Sequence, residues 1–317
     1  MKIAVVIPCF NVEHHVEVAV RSVLDQTYED LDVIAIDDGS TDSTREKLAA
    51  LELAFPGRFT WEAHPRQGAC LARNLGLART QGEYVQFLDA DDAILTDKLA
   101  RQVDLVKANG KPDLVVGDFL NVFEDGTETT IKGLGSRPWM ALIRTQLGTT
   151  SANLFKRSAL EAIGGWRPEQ ISSQDYELMF RMLMNNATVG WDPHVSSLVL
   201  KRLSGSISRT GQRDNWVRYI ELRRAMRDYL QKVDRIGRAE EIRAADQYLF
   251  NAIRVLAKHD AKRAFDLYDR TMPESFVPDP SPATTSTYIA YFKLLGFRMA
   301  ERSALALGWF KGRTRTQ

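Results

Sequence analysis

Short apolar runs rich in β-branched residues alternate with longer segments of helical periodicity along the first part of the chain. The apolar runs predict strands at 3–7, 31–36, 59–62, 84–88 and 114–119. The periodic segments predict helices at 12–26, 42–51, 69–79 and 97–109. Because strands that are joined through helices run in the same direction, the pattern predicts an α/β fold with a mostly parallel sheet flanked by helices.

The pattern changes twice further along the chain. Between about Gly126 and Leu147 the periodicity fades and glycines accumulate, which predicts loops and edge strands near a site. After about Gly211 only helical segments remain. We therefore predict a first domain at 1–210 and an all-helical C-terminal extension at 211–317, with a stiff proline-rich linker at 273–282.

Composition and charge exclude several classes of protein. The formal net charge of +1 gives no overall field that favours nucleic acid as a partner. The two cysteines, Cys9 and Cys70, lack metal-ligand spacing. The apolar start of the chain is too short for a signal peptide, and no run of about 18 apolar residues predicts a membrane-spanning helix. We therefore expect a cytoplasmic protein.

Four polar clusters follow predicted strands, at the edge where open α/β sheets bind ligands. The first is the turn 8–11, which exposes backbone groups and the ring of Phe10. The second is the run 37–42, whose carboxylates suit hydrogen bonds from a base or a ribose. Each has a plain structural alternative, because proline ends strands and Asp, Ser and Thr cap helices.

The third cluster places Gly68 at the entrance of a predicted helix. Glycine there lets a ligand approach the backbone, and a helix N-terminus favours anionic groups. Arg66 and Arg73 are then available for a diphosphate or for nearby acidic loops. Two solvated arginines on a surface helix are the structural alternative.

The fourth cluster holds three carboxylates, Asp89, Asp91 and Asp92, at the tip of a buried strand. Crowded carboxylates repel one another and lose hydration unless a counter-charge is present. A hard divalent cation that bridges to phosphate oxygens supplies that charge, so the cluster predicts Mn²⁺ or Mg²⁺. A solvent-facing acidic turn is the alternative.

These clusters resemble the inverting family 2 glycosyltransferases with a GT-A fold. The strings VVIPCFN, QTYEDLDVIAIDDGSTDST, RQGACLARNLGLA and GEYVQFLDADD follow the family in order and spacing over residues 1–92. A weaker likeness continues to about Ser208 through SANLFKRSALEAIGGW and SQDYELMFRM. The resemblance implies a Rossmann-like GT-A domain, with a nucleotide-sugar half at about 1–110 and an acceptor half at about 111–210.

The resemblance also implies how a donor nucleotide is bound. A nucleoside pocket is lined by Pro8, Phe10 and Asp38, with Asp38 addressing the base. Gly68 and Arg73 lie near the nucleotide as well. The implied donor is a nucleotide-diphosphate sugar, for which UDP is the commonest nucleotide in the family.

The implied chemistry needs a metal and one base. Asp91 is the direct metal ligand of an Asp-x-Asp motif, with Asp89 nearer the ribose and the metal, and the catalytic base is Asp175. One carboxylate suffices, because a diphosphate leaves without protonation and only the acceptor hydroxyl has a proton to lose. The implied acceptor is a glycan or a lipid-linked oligosaccharide of bacterial surface polysaccharide synthesis.

Two positions depart from the family. Gln174 stands where the family commonly has a glutamate that contacts the acceptor. The stretch 201–208 lacks a histidine that often helps to hold the metal and the diphosphate, and Lys201 or Arg202 is the candidate to neutralise the diphosphate instead. Trp166 is a candidate to stack on an acceptor sugar, with packing in the core as the alternative.

The C-terminal segment predicts a partner surface. Apolar residues at helical spacing, with basic residues after them, are Tyr288, Tyr291, Phe292, Leu295, Met299, Lys311, Arg313 and Arg315. Such a helix predicts peripheral contact with the inner face of an anionic membrane, next to a lipid-linked acceptor. Packing on the protein's own domain or in a homodimer is the alternative.

Three other functions share parts of the pattern. A nucleotidylyltransferase needs a glycine-rich basic loop after the first strand, and a dinucleotide-dependent oxidoreductase needs Gly-x-Gly-x-x-Gly there; residues 8–11 offer neither. A non-catalytic sugar-nucleotide-binding or scaffold protein remains an alternative because of Gln174 and the missing histidine.

Overall fold

The chain divides into two compact units in a computed structural model, residues 1–206 and residues 207–317. The structure describes residues 1–201 and 212–306. The domain boundary predicted at 210 falls between these ranges, outside the described residues. Each unit has its own hydrophobic core, which is the property that distinguishes a domain.

A nine-stranded sheet forms the first unit together with seven helices in its described part. The strands are β1 (Ile3–Cys9), β2 (Leu31–Asp38), β3 (Thr60–His64), β4 (Tyr84–Phe87), β5 (Ala93–Ile94), β6 (Leu114–Phe123), β7 (Glu128–Ile131), β8 (Leu154–Lys156) and β9 (Val189–Lys201). The helices are α1 (Val16–Leu24), α2 (Thr44–Ala54), α3 (Ala69–Arg79), α4 (Lys98–Ala108), α5 (Pro138–Ile143), α6 (Arg157–Ala162) and α7 (Gln174–Met184).

The strands lie in the order β3-β2-β1-β4-β8-β6-β9-β5, with β7 paired to β6. The first four of these pair in parallel, as do β6 and β9, whereas β8 is inserted antiparallel between β4 and β6. The C-terminal ends of β1, β2 and β4 therefore lie side by side at one edge of the sheet. The mostly parallel α/β sheet predicted from the sequence is confirmed.

Apolar side chains decide where the central strands and helices lie. β1 is wholly buried from Ile3 to Ile7, as a strand covered on both faces must be. α1 packs onto it through Val16, Val20 and Val23, which share one side of the helix. Full burial of each such side chain stabilises the fold by about 1.5–3 kcal/mol.

Four elements of this unit, β5, β8, β9 and α5, differ from the sequence prediction; β5 has two residues and pairs antiparallel with β9. No strand was predicted at 189–201, where β9 pairs with β6. Pro193 and His194 interrupt its apolar pattern, and its register with β6 shifts around Asp118, as at a bulge. β8 has only three residues, and α5 forms within the region predicted as loops and edge strands. Elements this short give too few repeats for a periodic signal.

The described part of the second unit consists of four helices around an aromatic core. They are α8 (Gln212–Asp234), α9 (Ala239–Ala257), α10 (Ala261–Thr271) and α11 (Ser286–Ala306). The Phe250 ring contacts the rings of Tyr268, Phe276, Phe292 and Phe297. Phe276 comes from the predicted proline-rich linker, which therefore joins two helices of one unit and packs on their core.

Helix α11 changes direction at Gly296, whose φ of 73° is easily adopted by glycine. Tyr288 and Phe292 face the core, and the Tyr288 hydroxyl donates to buried Glu301, which also pairs with Arg254. For Tyr288 and Phe292 this burial agrees with the alternative, packing on the protein's own domain, and excludes them from a membrane-binding side. Within the two described ranges, no helix has both the length and the apolar character needed to cross a membrane.

Candidate active site

Hydrogen bonds join the loops after β1 and β2 at the C-terminal edge of the sheet. The Asn11 N–H donates to Ser40 Oγ (3.0 Å), and Asn11 Oδ1 accepts from the Thr41 N–H (2.8 Å). Asn11 has a positive φ of 49°, which asparagine tolerates better than most residues. The two loops form one surface, and half-buried Pro8 lies in β1 opposite Ile36 of β2.

Asp38 ties the end of β2 to the entrance of α3. Its buried carboxylate accepts the backbone N–H groups of Gln67 (2.6 Å) and Gly68 (2.8 Å). Gly39, at φ +80°, permits this approach, because a Cβ there would lie 2.8 Å from the Arg66 nitrogen. The space where a Gly68 Cβ would stand is open to 4 Å. A carboxylate has lone pairs beyond two hydrogen bonds, so contact of Asp38 with a base stays a prediction.

The ring of Phe10 is covered on one face by an arginine. The guanidinium carbon of Arg66 lies 3.9 Å from the ring centroid, which is a close cation–π contact. Phe10 is half-buried, and Arg66 is exposed. The aromatic surface that the resemblance assigns to the nucleoside pocket is thus shared with an exposed, cationic side chain.

The three carboxylates after β4 are held differently. Asp92 is buried, and its two oxygens accept from Ser151 Oγ (2.6 Å) and from the Leu200 N–H (3.0 Å). Ser151 Oγ also accepts the Asp89 N–H (3.2 Å). Asp92 and Ser151 therefore fix the backbone of the acidic turn, whereas Asp89 and Asp91 are half-buried.

The carboxylates of this turn repel one another. Burial raises the pKa of Asp92 well above its usual range, and the charges of Asp89 and Asp91 raise it further. Across residues 1–201 and 212–306 no group of three His, Cys, Asp or Glu side chains is arranged to hold a metal. Two carboxylates nevertheless fit Mg²⁺ or Mn²⁺, because such ions take their other ligands from substrate phosphates and water.

A buried arginine joins the acidic turn to the start of α7. Arg73 Nη2 donates to Asp89 Oδ1 (2.7 Å), and Nη1 donates to Gln174 Oε1 (2.8 Å). Its guanidinium carbon lies 4.5 Å from the centroid of the Trp166 ring. Its Nε is buried without a hydrogen-bond partner among the described residues. Predicted site residues from distant parts of the sequence are thus in direct contact.

Asp175 lies in the first turn of α7, next to Gln174. Its carboxylate accepts the N–H of the following residue, Tyr176 (2.9 Å). Burial raises the pKa of Asp175; the charge of Asp89 adds to the rise, and Arg73 opposes it. A carboxylate with a raised pKa is a stronger base, which suits it to accept a proton from a hydroxyl group.

Trp166 supports Arg73 from the core. It is 1% exposed, and its ring meets Phe87 edge-to-face with centroids 5.2 Å apart. The Asn74 side chain accepts a hydrogen bond from the backbone N–H of Trp166 (2.9 Å) and donates one to the Trp166 carbonyl (2.7 Å). This burial favours core packing, the alternative to stacking on an acceptor sugar.

Lys201 is the last residue of β9, directly after the Leu200 N–H that Asp92 accepts. Its side chain is half-buried. The second candidate for the diphosphate, Arg202, lies outside the described residues. Asp92 thus connects the acidic turn to the strand end that carries Lys201.

A buried polar network that was not predicted from the sequence lies behind the acidic turn. Gln86 Nε2 donates to the Ser151 carbonyl (3.1 Å), and Lys98 Nζ donates to Gln86 and to Gln102 Oε1 (2.9 Å). These four side chains are fully buried. Burial lowers the pKa of Lys98 to about 7. The one sequence signal was a glutamine inside an otherwise apolar strand, at Gln86.

Residues 4–163 match the family model described as glycosyl transferase family 2. The match spans half of the chain and contains the loops after β1, β2 and β4. The chain therefore belongs to glycosyltransferase family 2, a class of enzymes that transfer sugars. Asp175 and Lys201 lie beyond the matched residues.

Two curated relatives have functional names. TuaG of Bacillus subtilis (strain 168), a glycosyltransferase assigned to teichuronic acid biosynthesis, is 38% identical over 104 residues, covering 33% of this chain and 41% of that protein. The UDP-Glc:alpha-D-GlcNAc-diphosphoundecaprenol beta-1,3-glucosyltransferase WfgD of Escherichia coli is 33% identical over 107 residues, covering 34% and 42%. The chain thus matches about two fifths of the length of these relatives.

A solved structure shares the architecture over nearly the whole chain. TarS 1-349 of S. aureus, crystallised in complex with UDP-GlcNAc, superposes with a TM-score of 0.69 at 17% identity, covering 97% of this chain and 92% of that one. At this identity the likeness shows the fold. It confirms the predicted GT-A-like domain and the helical C-terminal region.

Proposed function

We propose that this protein is an inverting glycosyltransferase that moves a sugar from a UDP-linked donor to a hydroxyl group of a glycan or a lipid-linked acceptor. One observation carries the proposal: Arg73 bonds both Asp89 of the acidic turn and Gln174 at the start of α7. That contact brings Asp175 next to the loops that hold the donor. A base and a diphosphate-binding turn in one site are the two parts that the reaction needs.

The donor nucleotide is held by the loops after β1 and β2 in this proposal. Pro8 and Phe10 offer the apolar wall for the base, Asp38 offers its carboxylate, and open space above Gly68 admits the nucleotide. UDP is favoured because UDP-GlcNAc is bound by TarS, which shares the fold, and UDP-Glc is named as the donor of WfgD.

Asp91 and Asp89 hold a divalent cation in this proposal, either Mn²⁺ or Mg²⁺. Burial is the larger cause of the raised pKa of Asp92, but the charges of Asp89 and Asp91 raise it further, and this repulsion between carboxylates supports the assignment. A bound cation supplies Lewis-acid stabilisation of the charge on the departing diphosphate. Lys201 offers a second positive charge from the end of β9.

The transfer step is an in-line displacement at the anomeric carbon. The acceptor oxygen forms a bond to that carbon on the face opposite the diphosphate, and its proton passes to the Asp175 carboxylate. The bond between the anomeric carbon and the phosphate oxygen breaks, and UDP leaves with the electron pair. One displacement inverts the configuration. Arg73 positions Asp89 and Gln174 but takes no proton, because a guanidinium stays charged.

The proposed acceptor belongs to bacterial surface polysaccharide synthesis. Two related names support this class: TuaG is assigned to teichuronic acid, and the acceptor of WfgD is a diphosphoundecaprenol-linked sugar. A lipid-linked acceptor places the reaction in the cytoplasm at the inner face of the membrane.

Two substitutions with different expected losses test the proposal. Asp175→Asn should lower the rate of sugar transfer by about 10²–10⁴-fold, the usual contribution of a general base, while it leaves UDP affinity within about twofold because only the base is removed. Asp91→Ala should remove the effect of Mn²⁺ on UDP affinity. Release of UDP from a panel of UDP-sugars measures turnover, and UDP titration with and without Mn²⁺ measures binding.

Asp104→Asn is the matched control, since Asp104 is 78% exposed on α4. Transfer by Asp175→Asn at the parental rate contradicts the assignment of the base. The protein could also bind UDP but release none from any tested sugar donor, with or without an acceptor extract. That result supports the non-catalytic alternative instead.

A further inference from the structure

We propose that the exposed side of α11 docks on an anionic lipid bilayer. This inference rests on the proposed function in one respect: a lipid-linked acceptor would lie in such a bilayer. Its core is an apolar strip formed by Tyr291, Leu294 and Leu295, which are 37%, 81% and 45% exposed. Their i, i+3, i+4 spacing places them on one side of a helix. Met299, beyond the change of direction at Gly296, is 45% exposed.

The strip adjoins the side of α11 that builds the protein core, because Leu295 follows Tyr288 by seven residues. Tyr288, Phe292 and Phe297 are buried and contact the aromatic cluster around Phe250. The helix therefore has more apolar surface than folding of the helical unit uses. Apolar surface that stays exposed next to charged residues is typical of a surface that binds a partner or a membrane.

The charge around the strip identifies the partner as an anionic surface. In residues 286–317 the one carboxylate is Glu301, which is 1% exposed and bonded to Arg254 and Tyr288. The same stretch holds six basic residues: Lys293, Arg298, Arg302, Lys311, Arg313 and Arg315. Lys293 and Arg302 are exposed, Arg298 pairs with Asp269, and the last three lie outside the described residues.

In its described part, α11 carries exposed Lys293 and Arg302, and its one carboxylate, Glu301, is buried, which matches the chemistry of an interfacial helix. The half-exposed carboxylate of Asp269, from α10, pairs with Arg298 and offsets that one charge. The leucine side chains insert among the acyl chains, and the lysine and arginine side chains bind anionic headgroups. Each such charge raises the affinity for the membrane about fivefold. Contact of this kind holds the protein on one leaflet, without a spanning segment.

Vesicle binding of the full chain tests the proposal. The probes are vesicles of phosphatidylglycerol and phosphatidylcholine, compared with vesicles of phosphatidylcholine alone. Removal of the whole helix is unsuitable, because it also removes Tyr288, Phe292 and Phe297 from the core. The variant Leu294→Ser/Leu295→Ser keeps those rings, and we expect it to lower the partition coefficient about tenfold or more.

Leu53→Ser is the matched control, since Leu53 is an 83% exposed leucine on another helix, α2. A second variant tests the contribution of charge: Lys293→Ala/Arg302→Ala should weaken binding to the anionic vesicles about 25-fold and reduce the salt dependence of binding. Its control, Lys262→Ala, replaces an exposed lysine on α10 and should change neither. Unfolding curves of each variant confirm that the fold is kept.

Three results overturn the proposal: no binding of the parent protein to anionic vesicles, equal binding by Leu294→Ser/Leu295→Ser, or a dimer in solution that this variant dissolves. The last result assigns the strip to a second copy of the chain. UDP binding, measured without vesicles, reports on the proposed function separately, so a failure of one leaves the other testable.

Discussion

The contact between Arg66 and Phe10 sets an expectation for the nucleobase. If the base stacks on Phe10, the guanidinium that now lies 3.9 Å from the ring forms a second wall of the pocket. Arg66→Ala should then weaken UDP and uridine binding by the same factor, about fivefold or more, since such contacts contribute about 1 kcal/mol. Calorimetric titration with both ligands measures this.

The comparison of UDP with uridine separates two roles of Arg66. A loss restricted to UDP shows that the guanidinium binds phosphates and contradicts the stacking role. Arg79→Ala is the control, because Arg79 ends α3 and pairs with Glu62.

The raised pKa of Asp175 predicts the pH profile of turnover. If Asp175 is the base, as proposed, it acts when deprotonated, so the rate at saturating donor should fall as the pH is lowered through that pKa. Since burial moves the pKa above the ordinary value of about 3.9, the acid limb should appear at a higher pH than for an exposed aspartate. A rate that stays constant down to pH 4 in folded protein contradicts the role of Asp175.

The sequence indicates candidate site residues but not their hydrogen-bond partners. Polar clusters directly after buried strands indicate Asp38, Asp89 and Asp91 as candidates, and their roles stay predictions. The partners of Asp92 are 59 and 108 residues away, at Ser151 and Leu200. A bond over such separations depends on the order of strands in the sheet, which a single sequence does not contain.

At the scale of elements, the first helices and strands follow the predicted pattern because each carries several repeats of its period. α3 begins and ends at the predicted residues, 69 and 79. β9 escapes prediction because Pro193 breaks its pattern and its pairing with β6 is irregular. Where pairing with a neighbour decides the structure, local periodicity gives no signal.

Helix α4 begins with a buried lysine, which makes the stability of the protein depend on pH. Lys98 titrates at a pKa of about 7 in the fold and at about 10.4 in an unfolded chain. Between these values the unfolded state binds more protons, so the free energy of unfolding rises with pH. Lys98→Met should reduce the rise between pH 7 and 9, measured by urea unfolding.

Lys107→Met is the control on the same helix, since Lys107 is 61% exposed. An equal rise in the parent protein and in Lys98→Met shows that another group causes the pH dependence.

At the scale of the whole molecule, one buried ion pair belongs to the helical unit alone. Arg254 bonds Glu301 and the Ala283 carbonyl, and its guanidinium covers the Tyr288 ring. Arg254→Met leaves Glu301 buried without its counter-charge, which should cost about 3–5 kcal/mol of stability. UDP affinity at low temperature should be unchanged. Denaturant unfolding and UDP titration measure the two effects.

The double variant Arg254→Met/Glu301→Met removes both charges and should recover most of the lost stability. Equal stability of Arg254→Met and the parent protein contradicts the importance of the pair.

The division into an α/β part and a helical part was visible in the sequence, because strand-like runs stop where helical spacing continues. In α9, residues at helical spacing that include Leu249, Ile253 and Leu256 are buried. The role of α11 was harder to predict, because apolar residues cover too much of the helix surface for the sequence to show which of them face the core. Packing around Phe250 decides which of them turn inward.

The long-range anchors of the acidic turn have a consequence for the order in which a ribosome builds the enzyme. Asp92 accepts a hydrogen bond from Leu200, and Arg73 donates one to Gln174, so both bonds need residues that are synthesised late. The residues that match the family model end earlier, at 163. A nascent chain therefore contains the loops after β1, β2 and β4 before it contains the residues that fix the acidic turn or the proposed base, Asp175. Until residue 200 has been added, the acidic turn lacks the hydrogen bond from the Leu200 N–H.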